Sequence, residues 1–571
     1  MTSQKALHNG DILYCIFSKF NTRQFDYRRD DPQHSERARR EVLARSARVC
    51  KAFRDIALPV LWAHLHNFAP FFRLLSTCMV VQEKNLGARM GIKRVYALGE
   101  GSVPQGEIER LRYYSAFLRA VQWNNQTTLD TPGNYDYIEG SALKQLRRLV
   151  GDTPSNPLLP NLDTLSWKLT LTVDPASLSI LMSPNLKTLQ MDSVYDRGEW
   201  QPLIEQLLLA SLSTAPDLEN LSVDCTAYYS ELRLSPEVTR PISELRSLRS
   251  LTLLFPTHET YNEIGLDVVL GALRPLAPLR RLERLEFRPG RVVAGSTVPP
   301  PGSRGEPLFP NLQQLKFHQV SCETSSRVLF EALRTPSLQG LEATFEYRND
   351  AALKETFATM ARCFPNLQSL WSIISNDDNL GHIFEDDLRS PLTEVIAPLL
   401  TVRSMVMLII VDELRPRRTV GDADLGAIST AWPRLKVLDL ASFPPAPSPH
   451  GWAGIGMPSL ASFATRCPDL RRLSLSTLDM QSLKPSRVFD DEYPRTDNQL
   501  RSLTIRNVRG TDADCAPCGR ALDRLFPHLS VAENLPSVKP GSLDTAETYI
   551  GPHQLRYKLF SAIQACQHAR K

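Results

Sequence analysis

At 571 residues the chain is long enough to bury a large core and too long for one compact domain. A formal net charge of +4 is small for that size, so overall charge implies neither a nucleic-acid nor an acidic-membrane partner. Ten scattered cysteines do not make the dense framework of a short secreted chain, the opening MTSQKALHNGDILYC lacks the apolar core of a signal peptide, and no run approaches a membrane span. An intracellular protein, cytoplasmic and/or nuclear, is expected, and the sequons at Asn125 and Asn220 are then incidental.

In chain order, residues 5–20 come first. Asp11 is placed as an N-terminal helix acid, and Ile12, Leu13, Ile16, Phe17 and Phe20 fall at helical spacings. A charged stretch over 23–40 follows. A second helix is expected over 42–58, and Pro59 begins, or lies near the start of, a short third one with Val60, Leu61 and Trp62. The two halves, ILYCIF and SARVCKAFRDIALPVLW, resemble the F-box of substrate-recognition subunits of SCF ubiquitin ligases. With the leucine repeats further along the chain, the whole layout resembles the fungal F-box/leucine-rich-repeat proteins. The matching positions are Ile12, Leu13, Ile16 and Phe17 in the first half and Val49, Cys50, Phe53, Leu61 and Trp62 in the second. The resemblance implies that these residues dock on the small adaptor subunit of an SCF complex and so reach its cullin. Leu7-His8-Asn9 stands where the family opens on Leu-Pro, Gly10-Asp11 where Glu is common, and the polar insert between the halves is longer than usual. From the residues alone, a helical cap on the first repeat remains open as an alternative.

Over 66–155, Ile108, Leu111, Tyr114, Leu118 and Val121 form one helical stripe and Leu143, Leu146 and Leu149 another, with loops expected over 97–106 and 124–140. Then a phrase of the form Pro-x-Leu-x-x-Leu-x-apolar returns twelve times, at steps of 24 to 35 residues. Its copies begin at Leu162/Leu165/Trp167 and run through Leu186, Leu218, Leu248, Leu282, Leu312, Leu338, Leu367, a weaker copy at Val402/Met405/Met407, Leu435, Leu470 and Leu500/Leu503/Ile505. Leu-x-Leu alternation is a half-buried strand, and one strand cannot bury its apolar face alone, so the copies must stack. Helical periodicity in the gaps, around 203–209, 268–273, 328–333 and 460–463, supplies a helix per repeat. The fold class expected is α/β: an N-terminal helical F-box-like unit, then an irregular leucine-rich-repeat solenoid, or horseshoe. The Asn or Cys that such repeats carry eight residues after the first leucine is absent, so no asparagine ladder is expected along the turn.

The expected layout is an F-box-like domain at 1–65, a helical linker and cap at 66–155, the solenoid at 156–510, and a C-terminal cap and tail at 511–571 with a helix carrying Leu555, Leu559 and Ile563. Stretches 288–307, 442–456 and 481–498 and the acidic 376–387 read as loops, either binding loops or tolerated insertions. No nucleotide-binding glycine loop, HExxH, nucleophile elbow or EF-hand loop occurs, and Cys515-Ala516-Pro517-Cys518 is a lone CxxC. No enzyme activity, cofactor or metal is expected. Binding is expected on the concave face, where the residue between the second and third apolar positions points outward. Trp371 there is either an interface anchor or packed under a loop. Lys316, Arg403, Lys436, Asp439, Arg471 and Arg472 are further candidates for target binding. The basic cast of the later repeats suits an acidic or phosphorylated partner segment, or is a solvated face.

Overall fold

A computed structural model describes residues 9–20, 32–66, 68–77, 79–85, 92–99, 103–123, 135–138, 140–151, 157–169, 181–193, 200–226, 236–255, 263–288, 291–293, 307–321, 324–346, 350–375, 391–412, 420–443, 446–448, 451–482, 493–530 and 551–570. The chain forms two compact units, residues 1–261 with 271–282, and residues 262–270 with 283–571. The acidic stretch 376–387, Asn125, Leu7 and His8 lie outside the described residues, as does most of 288–307.

The first unit opens with three helices, α1 (Gly10–Ser18), α2 (Pro32–Ser46) and α3 (Lys51–Trp62). Asn9 caps α1, its Oδ1 accepting from the Asp11 and Ile12 amides. The expected single helix over 42–58 is two helices. The end of α2 tightens through Arg48 N→Arg45 O and Val49 N→Ser46 O, and Cys50 is extended before α3. Pro59 sits inside α3 and starts no helix of its own. Leu13, Phe17, Leu43 and Ala57 form a small core, with Phe53, Ile56, Val60 and Leu61 packed around it.

Each copy of the phrase then builds a parallel strand. In the first unit the ladder runs His64–Leu65, Ala120–Trp123, Thr164–Leu169, Thr188–Ser193, Asn220–Asp224 and Ser250–Leu254. Leu65, Val121, Leu165, Leu189, Leu221 and Leu251 stand side by side and are all buried. The first two strands lie before the copies legible in the sequence. Val121 belongs to this ladder and Leu118, buried, precedes its strand, since the helix carrying Ile108 and Leu111 ends at Ser115. A separate three-stranded sheet pairs Met79–Asn85, Ile92–Leu98 and Tyr135–Ile138.

In the second unit the parallel ladder runs Arg284–Arg288, Gln314–Ser321, Gly340–Glu346, Ser369–Ser375, Met407–Asp412, Val437–Leu440, Arg472–Asp479 and Ser502–Arg509. Leu285, Leu315, Leu341, Leu370, Leu408, Leu438, Leu473 and Leu503 align, each contributing about 1.5–3 kcal/mol by leaving water. Here the weak copy is corrected: Leu370 pairs with Leu408 and Ser372 with Ile410, so the copy reads Met405/Leu408/Ile410. Val402 precedes it and Met407 is only half-buried, because the side-chain period of two turns it to the other face. Helices Trp200–Thr214, Leu266–Leu273, Thr324–Ala332 and Met457–Arg466 fall where helical periodicity places them.

A side-chain ladder does exist, at the start of the strand. The residue just before the first apolar position reaches back to the preceding repeat: Asn161 Nδ2 donates to Ala116 O (2.7 Å), Asn185 Nδ2 to Pro160 O (2.8 Å), Asn366 Nδ2 to Pro336 O (2.9 Å) and Ser404 Oγ to Leu367 O (2.8 Å). These carbonyls lie outside the strand pairing and need a donor from elsewhere.

The helix Gly551–Arg570 packs on Asp512–Leu525 and on the last strand, burying Leu559, Phe560 and Ile563. Lys558 pairs with Asp512, and Arg570 Nη2 lies 2.6 Å from Asp523 Oδ1.

Candidate protein-interaction surfaces

The nine residues that the F-box resemblance singles out divide by burial. Leu13 and Phe17, 2% and 4% exposed, fill the helical core, and Phe53 meets Phe17 edge-on at 5.5 Å with Leu61 beside it. Ile12, Ile16 (48% exposed), Val49 (67%) and Cys50 are left on the surface. A shallow, almost wholly apolar groove lies along α1, lined by Asp11, Ile12, Cys15, Ile16, Lys19 and Phe20. Trp62 belongs to the head of the strand ladder: Ala63 O accepts from the Arg119 and Ala120 amides, and the Trp62 ring lies 4.5 Å from that of Tyr114. Arg40 Nη1 donates to His64 O (2.9 Å), tying α2 to the first strand.

On the second unit, burial alternates along the strands, so one face is open. Trp371 is 40% exposed on it. Register places Trp371 beside Ile409, and Ile373 beside Val411, while Met407 stands between Ser369 and Val437. Periodicity singled out Trp371 but missed its neighbour, because the shifted copy put Val406 where Ile409 stands. Ser474, expected to point outward, is buried, in a strand buried on both faces from Leu473 to Leu478.

Lys316 lies in a charged row beside this apolar patch. Its Nζ is 3.2 Å from Glu286 Oε1 and 3.2 Å from Glu342 Oε1, and His318 Nε2 is 3.5 Å from that Glu286 oxygen. The hydrogen bond with His318, with Lys316 adding to it against partial burial, holds the Glu286 carboxyl below its ordinary value. Burial pulls the Lys316 ammonium down, but the two carboxylates outweigh it and raise it. Lys316 is therefore internally neutralised. Asp439 is tied to Arg472 at 3.5 Å, and Arg403 Nη1 donates to Ala431 O. Lys436 is half-buried and Arg471 exposed. Periodicity found the positions of these charges; their pairing depends on which repeats become neighbours.

Cys515 and Cys518 lie in the helix Asp512–Leu525, both buried. Burial pushes both thiols up, away from the thiolate that redox or zinc chemistry needs. Among the described residues no group of three or more His, Cys, Asp or Glu could hold a metal ion, and no helix is long and apolar enough to cross a membrane.

A strand–helix repeat stacked through a buried leucine ladder is a leucine-rich-repeat solenoid, and that is the architecture of each unit's ladder. No family model matches the chain, and no curated protein matches it. Solved structures similar to it include an internalin of Listeria monocytogenes (15% identity over 70% of this chain and 89% of that one, TM-score 0.35). A leucine-rich-repeat protein of Leptospira interrogans is 12% identical over 77% of this chain and 99% of its own (TM-score 0.32). The TLR13–ssRNA13 complex is 13% identical over 76% and 52% (TM-score 0.36).

Proposed function

We propose that the chain is a substrate-recognition adaptor of an SCF-type ubiquitin ligase. Its N-terminal helices dock on the small adaptor subunit, and its solenoid holds a target protein. The role is positioning: tethering raises the effective concentration of target lysines, and this chain does no chemistry of its own. The reading is carried by the surface of α1. Ile12 and Ile16 are exposed along an apolar groove although Leu13 and Phe17, on the same helix, have a core to fill. Apolar side chains left out where a core is at hand mark a surface made for a partner. On the solenoid, the Trp371–Ile409 patch supports target binding, since an exposed tryptophan among aliphatic neighbours is a typical anchor.

A second reading, a repeat scaffold outside ubiquitination with the helices as its cap, is favoured by the Arg40–His64 bond and by Trp62 at the head of the ladder. The test is a pull-down of the full chain with the recombinant small adaptor subunit, wild type against Ile12→Asp with Ile16→Asp. Capture lost in the double variant, with circular dichroism unchanged, is the expected result. No capture by the wild type sinks the ligase reading and leaves the capped scaffold.

A further inference from the structure

The backbone ladder lines up one residue per repeat on successive rungs, the one directly after the first apolar position. In the first unit these are Arg119, Asp163, Lys187, Glu219 and Arg249, joined by Asp163 N→Arg119 O, Lys187 N→Asp163 O, Glu219 N→Lys187 O and Arg249 N→Glu219 O at 2.7–2.9 Å. Their signs alternate, and Lys187 Nζ lies 3.6 Å from Glu219 Oε1. In the second unit the same row reads Glu283, Gln313, Gln339, Gln368, Val406, Lys436, Arg471 and Arg501. It ends on three cations, joined by Lys436 N→Val406 O (2.7 Å), Arg471 N→Lys436 O (2.8 Å) and Arg501 N→Arg471 O (3.0 Å).

Neighbouring rungs are about 5 Å apart, and like charges directly opposite one another destabilise a sheet. Among the described residues no carboxylate pairs with Lys436, Arg471 or Arg501: Asp439 is taken by Arg472, and Asp469, exposed close by in the chain, makes no ion pair with them. The first unit cancels this row within itself; the second leaves it open.

We infer that Lys436, Arg471 and Arg501 seat an acidic segment of the bound protein, a run of closely spaced carboxylates. Val437 follows Lys436 directly and stands beside Met407, two residues along the strand from Ile409, which pairs with Trp371, so the fitting segment carries an apolar anchor next to its acidic run. This deepens the target-binding reading of the solenoid and rests on it. The carboxylates would replace mutual repulsion by charge-assisted hydrogen bonds to two guanidinium groups and one ammonium.

The test is fluorescence anisotropy of a labelled peptide, tryptophan and leucine flanking a run of glutamates, titrated with the full chain. The control peptide carries glutamines instead. The glutamate peptide should bind at least about tenfold more tightly, and Arg471→Glu should weaken it by about tenfold or more. Arg119→Gln, in the first unit, should leave it unchanged. Because Arg471→Glu restores alternation, it should also raise the thermal midpoint at low salt, which shows that the variant is folded and that the repulsion is real. No binding by the wild type, equal affinity for the two peptides, or wild-type affinity in Arg471→Glu overturns the inference. A chain that captures the ligase adaptor but not the peptide sinks this proposal alone. One that takes the peptide but not the adaptor sinks the ligase reading alone.

Discussion

Ile12 and Leu13 are adjacent aliphatic residues with opposite duties, one on the surface and one in the core. Helical spacing identified both as apolar positions but could not sort them. Which side of α1 is filled depends on where α2 and α3 come to lie, and that is a tertiary fact. The two classes respond differently to mutation. Phe17→Ala removes a fully packed ring and should cost about 3–5 kcal/mol, melting α1–α3 as seen by hydrogen exchange. Ile12→Asp and Ile16→Asp should leave that exchange as it is. Glu286 gives a second prediction at this scale. Its carboxyl is held below the ordinary value of 4.5, so the ionised form stabilises the fold. That stability is present above 4.5 and is lost as pH falls through the lower folded value. The group is partly exposed, so Glu286→Gln should destabilise by no more than about 1 kcal/mol at pH 7. The gap between variant and wild type should close in unfolding titrations as the pH is brought below the lowered folded value. A gap that stays open in acid would mean that packing, not charge, is at stake.

Among the elements, the leucine phrase was legible because a strand buried on one face must repeat every second residue, and eleven of its twelve copies stand as read. The twelfth slipped because Val402, Met405 and Met407 satisfy the same spacing as Met405, Leu408 and Ile410; only pairing with Leu370 decides between them. Two strands of the parallel ladder, His64–Leu65 and Ala120–Trp123, went unread because they are short and the helices around them dominate the periodicity; the sheet of Met79–Asn85, Ile92–Leu98 and Tyr135–Ile138 went unread too, its last strand lying in the expected loop 124–140. The polar ladder stands before the first leucine of the phrase, not after it. Asn498, two residues before Leu500, makes a related link from inside the core. It is buried, its Nδ2 donates to Ala464 O (3.0 Å) and Cys467 O (2.8 Å), and its Oδ1 accepts from Leu500 N (3.0 Å). Asn498→Ala leaves backbone groups without partners in a dry site, which costs about 1–3 kcal/mol for each group stranded. Chemical denaturation should show a loss of that order. Asn366→Ala, at an exposed ladder position where water can replace the amide, should show under about 1 kcal/mol.

At the scale of the whole molecule, a ladder of stacked repeats has a problem that a globule lacks: its last strand offers unpaired backbone groups and an apolar face to any comer. The last described strand of the second unit is Ser502–Arg509, and among the described residues beyond it Ser530 N continues the backbone ladder, donating to Arg501 O at 2.8 Å. The helix Gly551–Arg570 packs over this end of the array. It approaches Asp512–Leu525 so closely that a Cβ on Gly519 would stand 2.8 Å from the Cβ of Ala562, a distance that real side chains do not tolerate. The fit is therefore set by a glycine facing an alanine, and Gly519→Leu should lever the terminal helix away while leaving the upstream ladder paired. The measurement is hydrogen exchange with size-exclusion chromatography. Protection should fall over 551–570 and 502–509 and persist over Leu370 to Leu440, and the chain should begin to self-associate through its uncovered end. Ala562→Gly in the Gly519→Ala background should recover part of the docking, since it removes the 2.8 Å contact and leaves the Ala562 and Ile563 backbone atoms at 3.1 and 3.2 Å. If Gly519→Leu stays monomeric with the last strand fully protected, the terminal helix is not the cap, and the turn at 526–530 must close the array by itself.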